Sequence, residues 1–446
     1  MSRRLLLATV LLAPVAIYAV TQTGEVPSAA SLKPADLFEE MGKLGLEREP
    51  QGEQLYLQAL ERLDQRLQLH PLDHEASLLK GLIQFRAGML DEALEELTGL
   101  TEREPKFHLA HLVLGDLRLA STKVISDIGK APLLLDDPDS ARELARLREE
   151  AEVRLRAYLD GLPQGRVPRA LLNMAPSVHT AIVVDKHTHR LYVYERGEDG
   201  TPQLVRDLYV STGRANGNKY VEGDLRTPEG VYFITRHIPG AQLPDLYGYG
   251  AWPMNYPNEW DRHQGKTGHG IWLHGTEHMY YSRPPLDSEG CVVLPNLDLQ
   301  AIEHHLHPGS TPIIVSERVT WLEDDQWLKK RDSLVRAIEQ WRRDWASNDV
   351  ERYLAHYAEG FWTREHDLHS WKAYKRGIAS RKEWQQVELS ELSLFAYPSE
   401  ASQGKTMVVA NFRQDYDSNN FRSSMRKRLY LVEEDGQWRI VYEGAQ

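Results

Sequence analysis

The chain of 446 residues holds one cysteine, Cys291, in the run Ser288-Glu289-Gly290-Cys291-Val292-Val293-Leu294. Seventeen positions before it (291 − 274) stands His274, followed by Gly275 and Thr276. A lone thiol forms no internal disulfide. With an ordinary pKa near ~8.5 it is mostly protonated at neutral pH, and the thiolate is the form that attacks a carbonyl. An imidazole within hydrogen-bond reach takes that proton and later returns it. Gly290 frees the backbone for a tight turn and close approach to a substrate. Its N–H and that of Cys291 can face a developing oxyanion. Gly275 removes bulk beside the histidine, and Ser288 can hydrogen-bond its own loop or a substrate. Glu289 either orients a substrate ammonium or is a solvated loop carboxylate. The competing reading of Cys291 is a small buried hydrophobe.

Holding a thiol and an imidazole face to face calls for a sheet. From Thr180 the hydrophobic period becomes two. Ala181–Asp185 and Arg190–Tyr194 read as paired strands, Leu204–Val210 as a third, and Val231–Ile234 as a strand fed by the turn Thr227-Pro228-Glu229-Gly230. Ile271–Leu273 is a buried strand ending at His274, and Val292–Leu294 is one starting at Cys291. Asp298–His307 has helical character and Thr311–Ser316 is a closing strand. A mostly-β domain, barrel or sandwich, is expected. Between Gly240 and Gly270 runs a loop-like stretch with Tyr247, Tyr249, Trp252, Tyr256 and Trp260. It is either a lid or wall over the cleft or aromatic packing on the sheet.

Residues 178–316 resemble the L,D-transpeptidase catalytic domain, a cysteine acyl-transfer fold acting on bacterial peptidoglycan. Three blocks in order carry the resemblance: the strand pair around Ile182 and Tyr194, the block Gly223-Asp224-Leu225-Arg226-Thr227-Pro228-Glu229-Gly230-Val231-Tyr232, and His274-Gly275-Thr276 followed by Ser288-Glu289-Gly290-Cys291. The family's usual histidine before the glycine is here Glu289, and its arginine two after the cysteine is Val293. Both replacements are similar to a branch that includes an L,D-carboxypeptidase setting helical cell shape and an enzyme detaching lipoprotein from the wall. The resemblance implies a tetrapeptide-stem donor, a thioester on Cys291 and loss of D-Ala. An amine acceptor would give a cross-link; water would give trimming, and a lipoprotein–wall amide is a further substrate. The stem carboxylate calls for a cation, for which Arg226, Arg262, Lys266 and Arg283 are candidates. No cofactor is implied, and no metal: the His-Glu-x-x-His zinc pattern is absent.

The flanks read as separate modules. Residues 30–165 are helical. Pro71, His74, Ala76 and Gly81 recur as Pro105, His108, Ala110 and Gly115, each 34 positions on (108 − 74 for the histidines). That is the period of the tetratricopeptide helix hairpin, which offers a concave surface to partner proteins; a plain helical bundle is the alternative. Residues 317–344 read as a helical linker. Residues 345–446 resemble the α+β cone of nuclear transport factor 2, with Trp345, Asp349, Tyr353 and Tyr357 early and Gly436-Gln437-Trp438 late. A role in binding glycan strand, stem peptide or an envelope partner is expected of it.

At the start, Arg3 and Arg4 precede an apolar stretch from Leu5 to Val20. Residues 1–24 therefore read as a signal peptide or N-terminal anchor. The chain is expected to be exported, to the periplasm of a Gram-negative bacterium, free or held at the inner membrane by an uncleaved start. The net charge of −12 speaks against a nucleic-acid partner, which needs a clustered basic surface. The alternative to a peptidoglycan enzyme is a catalytically silent envelope scaffold.

Overall fold

The computed structural model describes residues 50–120, 138–161, 165–399 and 401–446. The expected signal or anchor at residues 1–24 lies outside the described residues. The chain divides into two compact units. The first takes the sequence to Gly161 and, in addition, the short segment His278–Pro285; the second takes Leu162–Glu277 and Leu286–Gln446.

The described part of the first unit holds helices Pro50–Leu69, His74–Ala87, Leu90–Arg103, His108–Ala120 and Pro138–Asp160. Two of them begin at His74 and His108, the recurring histidines of the sequence. Asp73 caps one by accepting from the Ala76 N–H at 2.9 Å. Gly88, in the left-handed region at φ 86°, ends it. The recurring glycines are not equivalent: a methyl at Gly81 would strike Leu97 at 2.6 Å, whereas Gly115 has nothing within 4 Å. Leu63, Leu79, Leu82, Leu97, Val113 and Leu155 make the apolar core.

The central domain of the second unit has a five-stranded sheet in the order Pro202–Tyr209, Arg190–Arg196, Thr180–Asp185, Pro312–Ser316, Gly230–Phe233. Every residue of Thr180–Asp185 and Pro312–Ser316 is buried, as expected of a parallel pair covered on both faces. A second sheet runs Val292–Val293, Trp272–His274, Gly250–Pro253, Ile238–Pro239. Ile182, Val184 and Val193 of the first sheet share one core with Trp252, Leu273 and Val292 of the second. The opposite face of the first sheet, with Ala181, Val183 and Tyr192, packs with Phe395, Val409 and Tyr430 of the C-terminal domain.

That C-terminal domain is a six-stranded sheet: Tyr357–Trp362, Gln437–Ala445, Phe421–Glu434, Met407–Ser418, Gln385–Ala396 and, from far upstream, Leu171–Asn173. The segment expected as a linker, 317–344, is not one. It forms strand Trp321–Glu323 and most of helix Asp324–Ala346. Trp327, Leu334, Ile338 and Trp341 of that helix are core residues of the C-terminal domain. Its apolar stripe is a packing face, and sequence period alone does not say which sheet it covers.

Candidate active site

His274 and Cys291 stand at neighbouring strand ends. Strand Trp272–His274 runs parallel to Val292–Val293, with Leu273 opposite Val292 and His274 opposite Val293. The Leu294 N–H donates to the His274 carbonyl at 3.0 Å. Leu273 and Val292 point into the core between the sheets. Side chains alternate along a strand, so His274 and the side of Cys291 lie on the other face.

His274 is 3% exposed. Its Nδ1 lies 2.6 Å from the Gly275 carbonyl. A carbonyl only accepts, so Nδ1 carries the hydrogen, and in the neutral ring Nε2 keeps its lone pair. The imidazole is thus set as a base at Nε2. The Cys291 Sγ donates to the Gly270 carbonyl at 3.5 Å and stays partly exposed. Tyr247 packs beside the imidazole. Its ring meets His274 edge-on at 5.0 Å and Trp272 at 4.8 Å. Burial pushes the Tyr247 phenol above the usual range, and the nearby charges of Cys291 and Glu289 push the same way. Tyr247 therefore stays a hydrogen-bond donor at neutral pH.

The loop of the nucleophile is held from inside. Ser288 Oγ donates to the Cys291 carbonyl at 2.7 Å and accepts from the Gly290 N–H at 3.1 Å. That donor of Gly290 is thus engaged within the loop rather than facing an oxyanion. Gly290 has φ 124°, and a methyl there would meet the Arg226 carbonyl at 2.7 Å. Glycine is required by that contact and by the backbone angle. Gly275 is similar: its N–H donates to the Gly250 carbonyl at 3.2 Å, and a methyl on it would collide with Asn296 Oδ1.

Of the expected cations, Arg226 lies against the Gly290 turn, and its buried Nε has no hydrogen-bond partner among the described residues. Arg262 donates to the Pro257 carbonyl and sits 3.9 Å from Glu259. Lys266 is buried in an ion pair with Asp261 at 2.9 Å. Arg283 falls in the helical unit. Glu289 is exposed. The stretch 240–270 is not one open loop: it contains strand Gly250–Pro253 and helix Glu259–His263. Trp252, Tyr256 and Trp260 are buried packing residues, and Tyr247 is the aromatic that faces the site.

Asn296 is a site residue that sequence reasoning misses. Its Oδ1 accepts from the Tyr249 N–H at 2.8 Å and the Thr276 N–H at 3.2 Å, and its Nδ2 donates to the Thr276 carbonyl at 2.7 Å. One amide therefore pins both the turn after His274 and the segment that carries Tyr247. The only hint in the sequence is a polar residue two positions after the buried run Val292–Leu294, with Pro295 between.

The model of the L,D-transpeptidase catalytic domain matches residues 179–315. Residues 179–315 are an L,D-transpeptidase catalytic domain. The Cds6 C-terminal NTF2-like domain matches residues 333–444. Among solved structures, Bd1075 of Bdellovibrio bacteriovorus is 29% identical with a TM-score of 0.55, covering 63% of this chain and 98% of its own. The helical cell shape determining protein Pgp2 of Campylobacter jejuni is 27% identical with a TM-score of 0.53, covering 62% of this chain and 95% of its own. No curated protein matches the sequence. Cys291 and His274 both fall within the matched residues.

The NTF2-like domain carries a cavity of about 550 Å³. Its walls include Trp345, Tyr353 and Tyr416 with Lys375, Lys382 and Lys427. Lys375 Nζ lies 4.3 Å from the Trp371 ring and Lys427 Nζ 4.9 Å from that of Trp345. Burial draws Lys375 down to about 8, opposed by Glu443 and helped by Lys427. Lys427 is paired with buried Glu443, and Asp349 also lines the cavity.

Proposed function

We propose that this protein is an exported, periplasmic cysteine acyl-transfer enzyme that remodels peptidoglycan stem peptides. His274 Nε2 takes the Cys291 proton, and the sulfur attacks the carbonyl of the diamino-acid residue in a tetrapeptide stem. The C–S bond forms, the C–N bond to D-Ala breaks, and the proton passes from the imidazolium to the leaving amine. In the second half an acceptor loses a proton to His274, attacks the thioester and releases the thiolate, which recovers that proton. A stem amine as acceptor makes this an L,D-transpeptidase; water makes it an L,D-carboxypeptidase. Arg226 is the cation for the stem carboxylate, since its backbone carbonyl lies against the nucleophile's turn and its Nε has no hydrogen-bond partner among the described residues.

The observation that carries the reading is the Nδ1–H bond of His274 to the Gly275 carbonyl, which leaves Nε2 basic at the strand end next to Cys291. The likeness to a helical cell shape determining protein favours trimming by water as the second reading. The NTF2-like cavity, cationic and aromatic, would hold an anionic wall fragment or an envelope partner's acidic segment while the thiol works.

The test is to incubate the purified chain with tetrapeptide muropeptides. Dimers identify transpeptidation and tripeptides identify trimming; release of a wall-linked lipoprotein would identify the amidase. Cys291→Ala is expected to abolish every product. Unchanged products from Cys291→Ala would sink the enzyme reading and leave an envelope scaffold.

A further inference from the structure

Of the block Gly223–Gly230 the acyl transfer uses Arg226 alone. Two residues earlier, Asp224 gathers four donors. Its Oδ1 accepts from Lys219 Nζ at 2.7 Å and from the Arg226 N–H at 3.2 Å. Its Oδ2 accepts from the Tyr220 and Val221 N–H groups at 2.8 and 3.1 Å. Lys219 is buried, and its Nζ donates also to the Val221 carbonyl at 3.1 Å. Burial disfavours the Asp224 carboxylate, but the Lys219 ammonium and the backbone donors outweigh it and hold its pKa below the usual carboxylate range. An ionised acceptor makes each of these bonds stronger than a neutral one would be.

The clasp closes around a strained residue. Leu225 lies in the left-handed region at φ 58°, where the Cβ of an ordinary residue crowds the backbone. Such an angle persists only where the surroundings impose it. The Asp224 carboxylate does so by reaching across Leu225 to the Arg226 N–H. From the other side the Ala215 N–H donates to the Leu225 carbonyl at 3.1 Å.

The strained turn supports the nucleophile's loop. The Gly213 N–H donates to Thr227 Oγ1 at 2.9 Å, and a methyl at Gly213 would strike the Leu225 carbonyl and the Thr227 nitrogen. Gly213 stands opposite Ser288, where strand Thr212–Gly213 runs parallel to Leu286–Ser288. The next residue, Arg214, donates its N–H to the Ser288 carbonyl at 2.9 Å. On its far side the turn meets Gly290, where a methyl would lie 2.7 Å from the Arg226 carbonyl. The backbone of 225–227 is thus wedged between a glycine beside Ser288 and the glycine before Cys291. Close packing of this kind transmits a displacement rather than absorbing it.

We propose that Asp224 is a positioning residue for the nucleophile: by holding Leu225 at its strained angle it sets the turn on which the Ser288–Cys291 loop rests. This rests on the reading of Cys291 and His274 as a nucleophile–base pair.

Cys291 is the only cysteine, so alkylation of the full chain with iodoacetamide reports on it without substrate. The rate is followed against pH. Asp224→Ala is expected to lower the rate at pH 7 about threefold or more and to move the midpoint of the profile up toward the ordinary thiol value of about 8.5, with circular dichroism unchanged. Adding Leu225→Asn, a residue that takes the left-handed angle more readily, is expected to recover most of the wild-type profile. A general loss of stability would not be repaired by a polar side chain in place of a half-buried leucine. If Asp224→Ala does not fold, Lys219→Met, which removes the ammonium and leaves the backbone donors, takes its place with a shift in the same direction. A wild-type profile in the folded variant, or no recovery in the double variant, overturns the proposal. His274→Ala tells the two readings apart. An unchanged profile there means that the nucleophile–base pair fails; a shifted profile there, with an unshifted one in Asp224→Ala, removes only the role of Asp224.

Discussion

Asn296→Ala tests whether the imidazole is held by its surroundings or by its strand alone. The amide makes three hydrogen bonds, two from Oδ1 and one from Nδ2. A net contribution of about 1 kcal/mol each gives about 3 kcal/mol. Asn296 is half-buried, so water reaches part of what is exposed, and about 2 kcal/mol is the working figure. Two of the three bonds go to Thr276, two residues after His274. Their loss frees the Gly275 carbonyl that fixes the imidazole tautomer at 2.6 Å. A shift of about 1 Å in a catalytic group costs on the order of 100-fold. We therefore expect product formation from tetrapeptide muropeptides to fall 10- to 100-fold, with a change of only a few degrees in the unfolding midpoint.

The near-isosteric Asn296→Asp sharpens the test. It keeps acceptors for Tyr249 and Thr276 N–H but puts a carboxylate oxygen where Nδ2 faced the Thr276 carbonyl at 2.7 Å. Two acceptors at that distance repel, so Asn296→Asp is expected to lose activity like the alanine variant. If both variants keep more than half of the wild-type rate, the turn holds His274 unaided and the reasoning is wrong.

Other perturbations follow from the same contacts. Burial, with His187 and Lys186 adding to it, holds His189 down at about 4 against about 6.5 in an unfolded chain. On acidification the unfolded chain takes the proton first, so stability is full above pH 6.5 and drains as pH falls toward 4, by roughly 3 kcal/mol at most. His189→Asn, which suits the positive φ of 53°, should flatten that slope in denaturant titrations. Arg154→Met leaves Glu75 and Glu150 buried without their shared cation and is expected to destabilise the helical unit by about 3–5 kcal/mol, read by thermal melting. Arg226→Met should raise KM for stems with a free carboxylate about tenfold or more while leaving amidated stems little affected.

What the sequence discloses and what it withholds divide along a physical line. Cys291, His274 and Ser288 could be chosen because their chemistry is local: a thiol, an imidazole and a hydroxyl in short motifs at strand ends. The alternating runs Thr180–Asp185 and Arg190–Arg196 place their strands for the same reason, since period two is a property of neighbours in the chain. Asn296 has no such mark. Its importance comes from meeting Tyr249, 47 positions away, and Thr276, 20 away, and no local pattern encodes a pairing at that range. The stripe of helix Asp324–Ala346 was visible but not its destination, so a core helix reads as a linker. Tyr281 carries no local mark either: its place in the helical core comes from Phe107, more than 170 positions upstream (281 − 107). The glycines show the subtler case. Gly290 and Gly275 invite the explanation that they clear room for a substrate, yet the space where each side chain would stand is filled by Arg226 and Asn296. A glycine beside a nucleophile can thus be required by the protein's own packing. Its replacement by alanine would then distort the Cys291 turn before any substrate arrives, and a loss of activity there would report on folding of the loop rather than on binding.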